Sequence, residues 1–125
     1  MKISKNFSKE EFDCSCGCEM SGEVLENITK LVDELEVLRE HSNSSIIVNS
    51  GYRCDKYNKR IGGAKRSQHK LGNASDIVVK GVEPSETHQL IEQLIDKKLM
   101  SEGGLGSYNN FTHYDIGYNN RKRRW

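Results

Sequence analysis

The sequence predicts an α+β fold: a small, largely antiparallel sheet with two main helices. Three observations carry this. Two long segments place apolar residues at spacings of three and four, the pattern of a half-buried helix. Four short segments read as strands, two of them β-branched and two aromatic or Gly-containing. The order of elements is helix, strand, strand, helix, strand, strand, which lacks the regular alternation of a parallel α/β sheet.

The elements follow in chain order. Ser8 with Glu11 reads as a capping box opening a short helix or turn that ends near Cys14. Residues 14–18, CSCGC, are too rich in Cys and Gly for regular structure. From about Gly22 to His41, the residues Val24, Leu25, Ile28, Leu31, Val32, Leu35 and Leu38 form one helical stripe. Residues 45–49 are β-branched and read as a strand. Gly51 to Ser67 is a polar connection with room for one helical turn around Tyr57. Ala74 to Lys80 is a second strand. Pro84 and Ser85 open a second helix with the stripe Leu90, Ile91, Leu94, Ile95 and Leu99. Gly103, Gly104 and Gly106 break that pattern. Leu105 to Tyr108 and Phe111 to Gly117 read as strands joined by an Asn109, Asn110 turn.

Composition narrows the function. The 125 residues are 34% hydrophobic and 30% charged, with a mean hydropathy of −0.75. That suits one domain spanning 1–125, with a Cys-rich start over 1–20 and a basic tail over 119–125. Nineteen Lys and Arg against eighteen Asp and Glu give a net charge of +1. No global field favours nucleic acid or an anionic membrane. Apolar runs of three residues cannot span a bilayer, and MKISKNFSKEEF carries no apolar signal region. The expectation is a monomer made in the cytoplasm, acting there or leaving by a route that needs no signal.

Of four histidines, His41 and His88 lie among polar helix residues and read as solvated. His69 and His113 each sit beside a strand and near a carboxylate. Asp76 follows His69 by seven positions, close enough for a Gly-containing turn to fold the imidazole back. Asp115 follows His113 by two and shares its strand face. Two imidazoles and a carboxylate can hold a catalytic zinc, with a spare carboxylate as general base. From spacing alone, the alternative is that both histidines are surface residues and the aspartates cap turns.

A longer series sharpens this. Ser50, Gly51, Tyr52 and Arg53 are followed by Asn58, by Gly62, Gly63 and Ala64, and by Ser67, His69, Gly72, Ala74 and Asp76. Gly103, Gly104, Gly106, Tyr108, Phe111, His113 and Asp115 complete it. In this order the series closely resembles the zinc D-Ala-D-Ala carboxypeptidase family, among the lysostaphin, D-Ala-D-Ala and hedgehog-like metallopeptidases. It is most similar to small bacterial and phage-borne members that cut peptidoglycan. The resemblance implies that fold, one zinc on His69, Asp76 and His113, and a peptidoglycan or muropeptide substrate. It also implies that Arg53 holds a substrate carboxylate and that Ser67 contacts substrate. Tyr108 would line the cleft. Several branches place an acidic residue three positions before the last ligand. Here that position is Asn110, which leaves Asp115 as the expected base, with the alternative that it orients a ligand or an arginine.

Cys14, Cys16, Cys18 and Cys54 allow three states: a structural zinc on four thiolates, a disulfide from Cys54 to the N-terminal group, or free thiols. The expected function is therefore a zinc peptidase of peptidoglycan stems, a D-Ala-D-Ala carboxypeptidase or an endopeptidase, as in a phage-type lysin released to the wall. One rival is a noncatalytic zinc-containing binding domain on the same scaffold. A second is a Cys-rich module binding nucleic acid through Arg121–Arg124.

Overall fold

The computed structural model describes residues 1–117 and 121–125. A 3₁₀ turn at Lys9–Phe12 follows Ser8, whose backbone N–H donates to Glu11 Oε2 at 2.7 Å, the reciprocal half of a capping box. Helix α1 runs Gly22–Ser42 and strand β1 Ile46–Ser50. A short α2 spans Asp55–Arg60, then β2 Ala74–Val79, α3 Pro84–Asp96, β3 Gly104–Ser107 and β4 Thr112–Asp115. Two residues, Arg123–Arg124, form β5.

The sheet order is β1-β2-β4-β3-β5, with every pairing antiparallel except β3 with β5. This is the predicted α+β class, with one strand more than expected. The helical stripe of α1 buries Ile28, Leu31, Val32, Leu35 and Leu38, while Val24 and Leu25 are half-buried at its start. With Ile91 and Leu94 of α3, these residues pack on Ile77, Val79, Leu105 and Tyr114, which share one face of the sheet. Phe7 and Phe12 of the N-terminal segment complete that core.

Two expectations need correction. Leu99 does not belong to the stripe of α3: the helix ends at Asp96, and Leu99 is 48% exposed. Lys98 adopts a left-handed φ of 61°, and Met100 turns into the core in its place. The basic tail, whose run of four cations reads from sequence as a solvated end, is instead held to the sheet at Arg123 and Arg124, which pair in register with Gly104 and Leu105. Residues 119 and 120 of that tail lie outside the described residues. Among the described residues, no helix is long and apolar enough to cross a membrane.

Strand alternation sends the other sheet face away from the helices. In β2 and β4, Asp76 lies directly opposite His113, and Ala74 opposite Asp115. Asp76, His113 and Asp115 therefore share the face opposite the core, on the two central strands. Their positions are fixed by the same register that buries Ile77 and Tyr114.

Candidate metal centre

His69 reaches this face from a 3₁₀ turn, Gln68–Leu71, just before β2. Ser67 caps the turn, its Oγ accepting from the His69 N–H at 3.2 Å. Gly72 closes it with φ of 79°, where a side chain would be strained, and a Cβ there would lie 2.7 Å from the Val24 carbonyl. The turn thus folds the imidazole back over Asp76, as the sequence spacing anticipates.

His69, Asp76 and His113 are 3%, 8% and 8% exposed. Asp76 Oδ1 is 3.3 Å from His69 Nε2 and 2.9 Å from His113 Nδ1. These three donor atoms surround one point. The far side of each imidazole is also occupied. His69 Nδ1 is 2.7 Å from the Gly51 carbonyl, which can only accept, so Nδ1 carries a proton and Nε2 is the nitrogen that faces Asp76. His113 Nε2 donates to Asp115 Oδ2 at 2.7 Å, leaving Nδ1 on the Asp76 side. Metal-binding histidines are oriented in this way, each by an acceptor on its other nitrogen. The donor set of two nitrogens and one carboxylate oxygen suits zinc in a site that keeps an open position.

Burial opposes the ionisation of Asp76, but hydrogen bonds from His113 and His69 outweigh it and hold the carboxyl below its usual range. His113 shows the complement. Burial favours its neutral form, yet the bonds to Asp115 and Asp76 raise its affinity for a proton. The ring lies between two carboxylates, and a cation at Nδ1 would take the place of a proton there.

Asp115 is fully buried. Besides His113, it accepts from the Gly104 N–H at 3.2 Å and from Arg123. Burial raises its affinity for a proton, but the bonds from His113 and Arg123 prevail and keep it ionised. Gly104 and Gly106 face these groups from β3. A Cβ at Gly104 would collide with the Asp115 carboxylate, and one at Gly106 would lie 2.5 Å from Trp125 Nε1. The glycines of the GGxG segment therefore leave space for the Asp115–Arg123 pair and for the Trp125 ring.

Arg53 lies 3.2 Å from Asp76 through Nη2. Its Nε donates to Ser50 Oγ at 3.2 Å and its Nη1 to Asn58 Oδ1 at 3.5 Å. Asn58 is fixed in turn by the Ala64 carbonyl at 2.9 Å. The neighbouring Asp55 pairs with Lys70, at 2.6 Å. The motif residues Ser50, Asn58 and Ala64 thus form a frame around the guanidinium.

The centre opens into a cleft of about 380 Å³. Arg53, Arg66, Ser67, Tyr108, Phe111, Arg123 and Trp125 line it along with the three candidate ligands and Asp115. Tyr108 stacks on Phe111 with ring centroids 4.4 Å apart, and its hydroxyl accepts from Trp125 Nε1 at 2.7 Å. Trp125 lies over His113, centroid to centroid 4.9 Å. Asn110 is exposed and does not line the cleft.

The sequence reading did not find Arg123 or Trp125. Along β5 the side chains alternate: Arg123 turns to Asp115, while Arg124 turns to Glu92 of α3 at 2.8 Å and to Glu102 at 2.7 Å. A run of four cations reads as a solvated end, and nothing in it marks a strand. Replacing Arg123 by Ala should lower thermal stability by about 1–3 kcal/mol, since a buried carboxylate loses a charged donor. Arg121→Ala, in the exposed part of the segment, should change it little. Melting curves of the two variants check this.

A family model described as Peptidase M15 matches residues 5–115, which includes every ligand candidate, Arg53 and the four cysteines. No curated protein matches the chain. The match covers nearly the whole chain, and the residues that carry the earlier resemblance converge on one centre. The chain belongs to the peptidase M15 family, that of the D-Ala-D-Ala carboxypeptidase-like enzymes.

Proposed function

We propose that this chain is a zinc-dependent peptidase that hydrolyses peptide bonds in the stems of peptidoglycan. The observation that carries the reading is the convergence of His69 Nε2, Asp76 Oδ1 and His113 Nδ1 at the foot of an arginine-lined cleft. Bound there, zinc would supply Lewis-acid activation of a carbonyl and of water.

The chain's own residues do the rest. Gly51 and Asp115 fix the orientation of His69 and His113 by accepting a hydrogen bond from the ring nitrogen that faces away from Asp76. Arg53 holds Asp76 through one nitrogen, and its remaining N–H groups are available to a substrate carboxylate. Arg66 adds a second cation at the cleft wall. Peptidoglycan stems carry free carboxylates, and planar guanidinium groups bind them with paired hydrogen bonds. Tyr108, Phe111 and Trp125 give the opposite wall an apolar surface for the peptide backbone and small side chains. Ser67 serves first as a cap on the His69 turn, and its hydroxyl lies within reach of bound substrate.

For Asp115 the geometry favours a role other than the expected general base. Its carboxylate is committed to His113, Arg123 and the Gly104 N–H, so we assign it to positioning His113.

Defined muropeptides, incubated with the protein with and without chelator and resolved by mass spectrometry, test the function. The expected result is a single class of cleaved peptide bond, lost with chelator and restored by zinc. Intact muropeptides under all conditions would favour a noncatalytic binding domain. Arg53→Lys should lower kcat/KM because it keeps the charge and loses the fork, and Arg53→Ala should lower it more. Converting the substrate's carboxylate to an amide should mimic these losses in the wild type and add little in the variants. An amide cut equally well by wild type and variant would remove Arg53 from substrate binding.

A further inference from the structure

The four cysteines lie outside the metal centre and take no part in the proposed hydrolysis. Three lie within residues 14–18 and the fourth is at 54, yet their sulfurs meet. Cys16 Sγ is 3.2 Å from Cys14, 2.9 Å from Cys18 and 3.4 Å from Cys54. Cys54 Sγ is 3.0 Å from Cys18 and 3.9 Å from Cys14. None is joined in a disulfide. Four sulfurs at these separations are too close for packing of neutral thiols alone and too far for S–S bonds of about 2.05 Å. Sulfurs around a tetrahedral zinc, each about 2.3 Å from the metal, would lie a little under 4 Å apart.

The backbone supports the same reading. The Cys54 N–H points at Cys14 Sγ at 3.5 Å, and the Tyr57 N–H points at Cys54 Sγ at 3.4 Å. Such N–H groups stabilise thiolate rather than thiol. Gly17, with φ of 86°, lets the chain reverse between Cys16 and Cys18, and its N–H bonds to the Cys14 carbonyl at 2.9 Å. The CSCGC spacing, tighter than the usual two-residue separation, becomes workable through this turn. Cys54 arrives from the first residue before α2.

We propose that Cys14, Cys16, Cys18 and Cys54 bind a second, structural zinc ion. All-thiolate tetrahedral sites select zinc or iron among available metals, and a closed four-sulfur shell leaves no position for substrate. The ion ties the N-terminal segment to the loop that follows β1. That loop is the one carrying Gly51, whose carbonyl orients His69, and Arg53, whose N–H bonds to the His69 carbonyl at 3.0 Å. The Tyr52 N–H is also bonded to the Phe12 carbonyl at 2.8 Å, so the two segments are already apposed. The thiolate site holds the frame of the metal centre from outside it.

Metal analysis of the full chain purified with reductant tests this independently of any peptidase activity. The wild type should carry two equivalents of zinc. His69→Ala should keep one, and Cys54→Ser should also keep one. A cobalt-loaded His69→Ala protein should show the intense near-ultraviolet sulfur-to-cobalt bands of a thiolate site. Titrating the wild type with an organomercurial should release one equivalent of zinc, a measurement that needs no variant to fold. A single equivalent lost entirely in His69→Ala would overturn the proposal. So would an intact mass two hydrogens lighter per pair of cysteines, which marks disulfides, or a red protein carrying iron.

Discussion

Replacing His69 by Ala should remove one equivalent of zinc and lower turnover by on the order of 10³-fold or more, given that Lewis-acid activation contributes several kcal/mol. The ring is almost fully buried and supplies one atom of a three-atom donor set. Its Nδ1 bond to Gly51 is also lost, which costs about 1–3 kcal/mol of stability. The fold should persist, because His69 lies on the sheet face opposite the main core and caps no helix. A circular dichroism spectrum like that of the wild type, with one metal equivalent fewer, is the expected pair of results. Unchanged zinc content would remove His69 from the ligand set.

The second large effect concerns Asp115. Asp115→Asn keeps the shape of the side chain and can still accept from His113 Nε2, but it loses the charge that pairs with Arg123. A positioning role predicts zinc affinity lower by about 10–100-fold, with turnover partly recovered at saturating zinc. A general base predicts the opposite split: unchanged zinc affinity and a loss of roughly 10²–10⁴-fold in turnover at any zinc concentration. Chelator competition beside steady-state kinetics separates the two. Unchanged zinc affinity with depressed turnover would return Asp115 to the role its sequence position first suggested.

The long helix was legible because its signal is periodic, whereas the His–Asp–His set was only suggestive from spacing and was singled out by the resemblance of the longer motif series. The α1 stripe states its buried face directly, and strand alternation puts His113 and Asp115 on one side. Pro84 marks the start of α3, but the end of that helix was misread: Ile95 to Leu99 keeps helical spacing, while the left-handed Lys98 sends Met100 inward instead. The partners of Asp115 were hidden for another reason. Arg123 pairs with a carboxylate eight residues earlier across a parallel two-residue strand, and Arg124 with Glu92 and Glu102. Nothing in a run of basic residues states which acid each will meet. Phe7 and Phe12 were likewise invisible as core, because a short 3₁₀ turn has no apolar period. The role of Arg53 was half legible. Its motif placed it at the cleft, while its bond to Asp76 arises from tertiary apposition of the β1–α2 loop and β2.

The most direct test of the central claim is anomalous scattering at the zinc absorption edge from crystals of the wild-type protein. The account predicts a strong peak enclosed by His69 Nε2, the Asp76 carboxylate and His113 Nδ1, at the foot of the arginine-lined cleft. Zinc-replete crystals with no anomalous peak between those three side chains would contradict it.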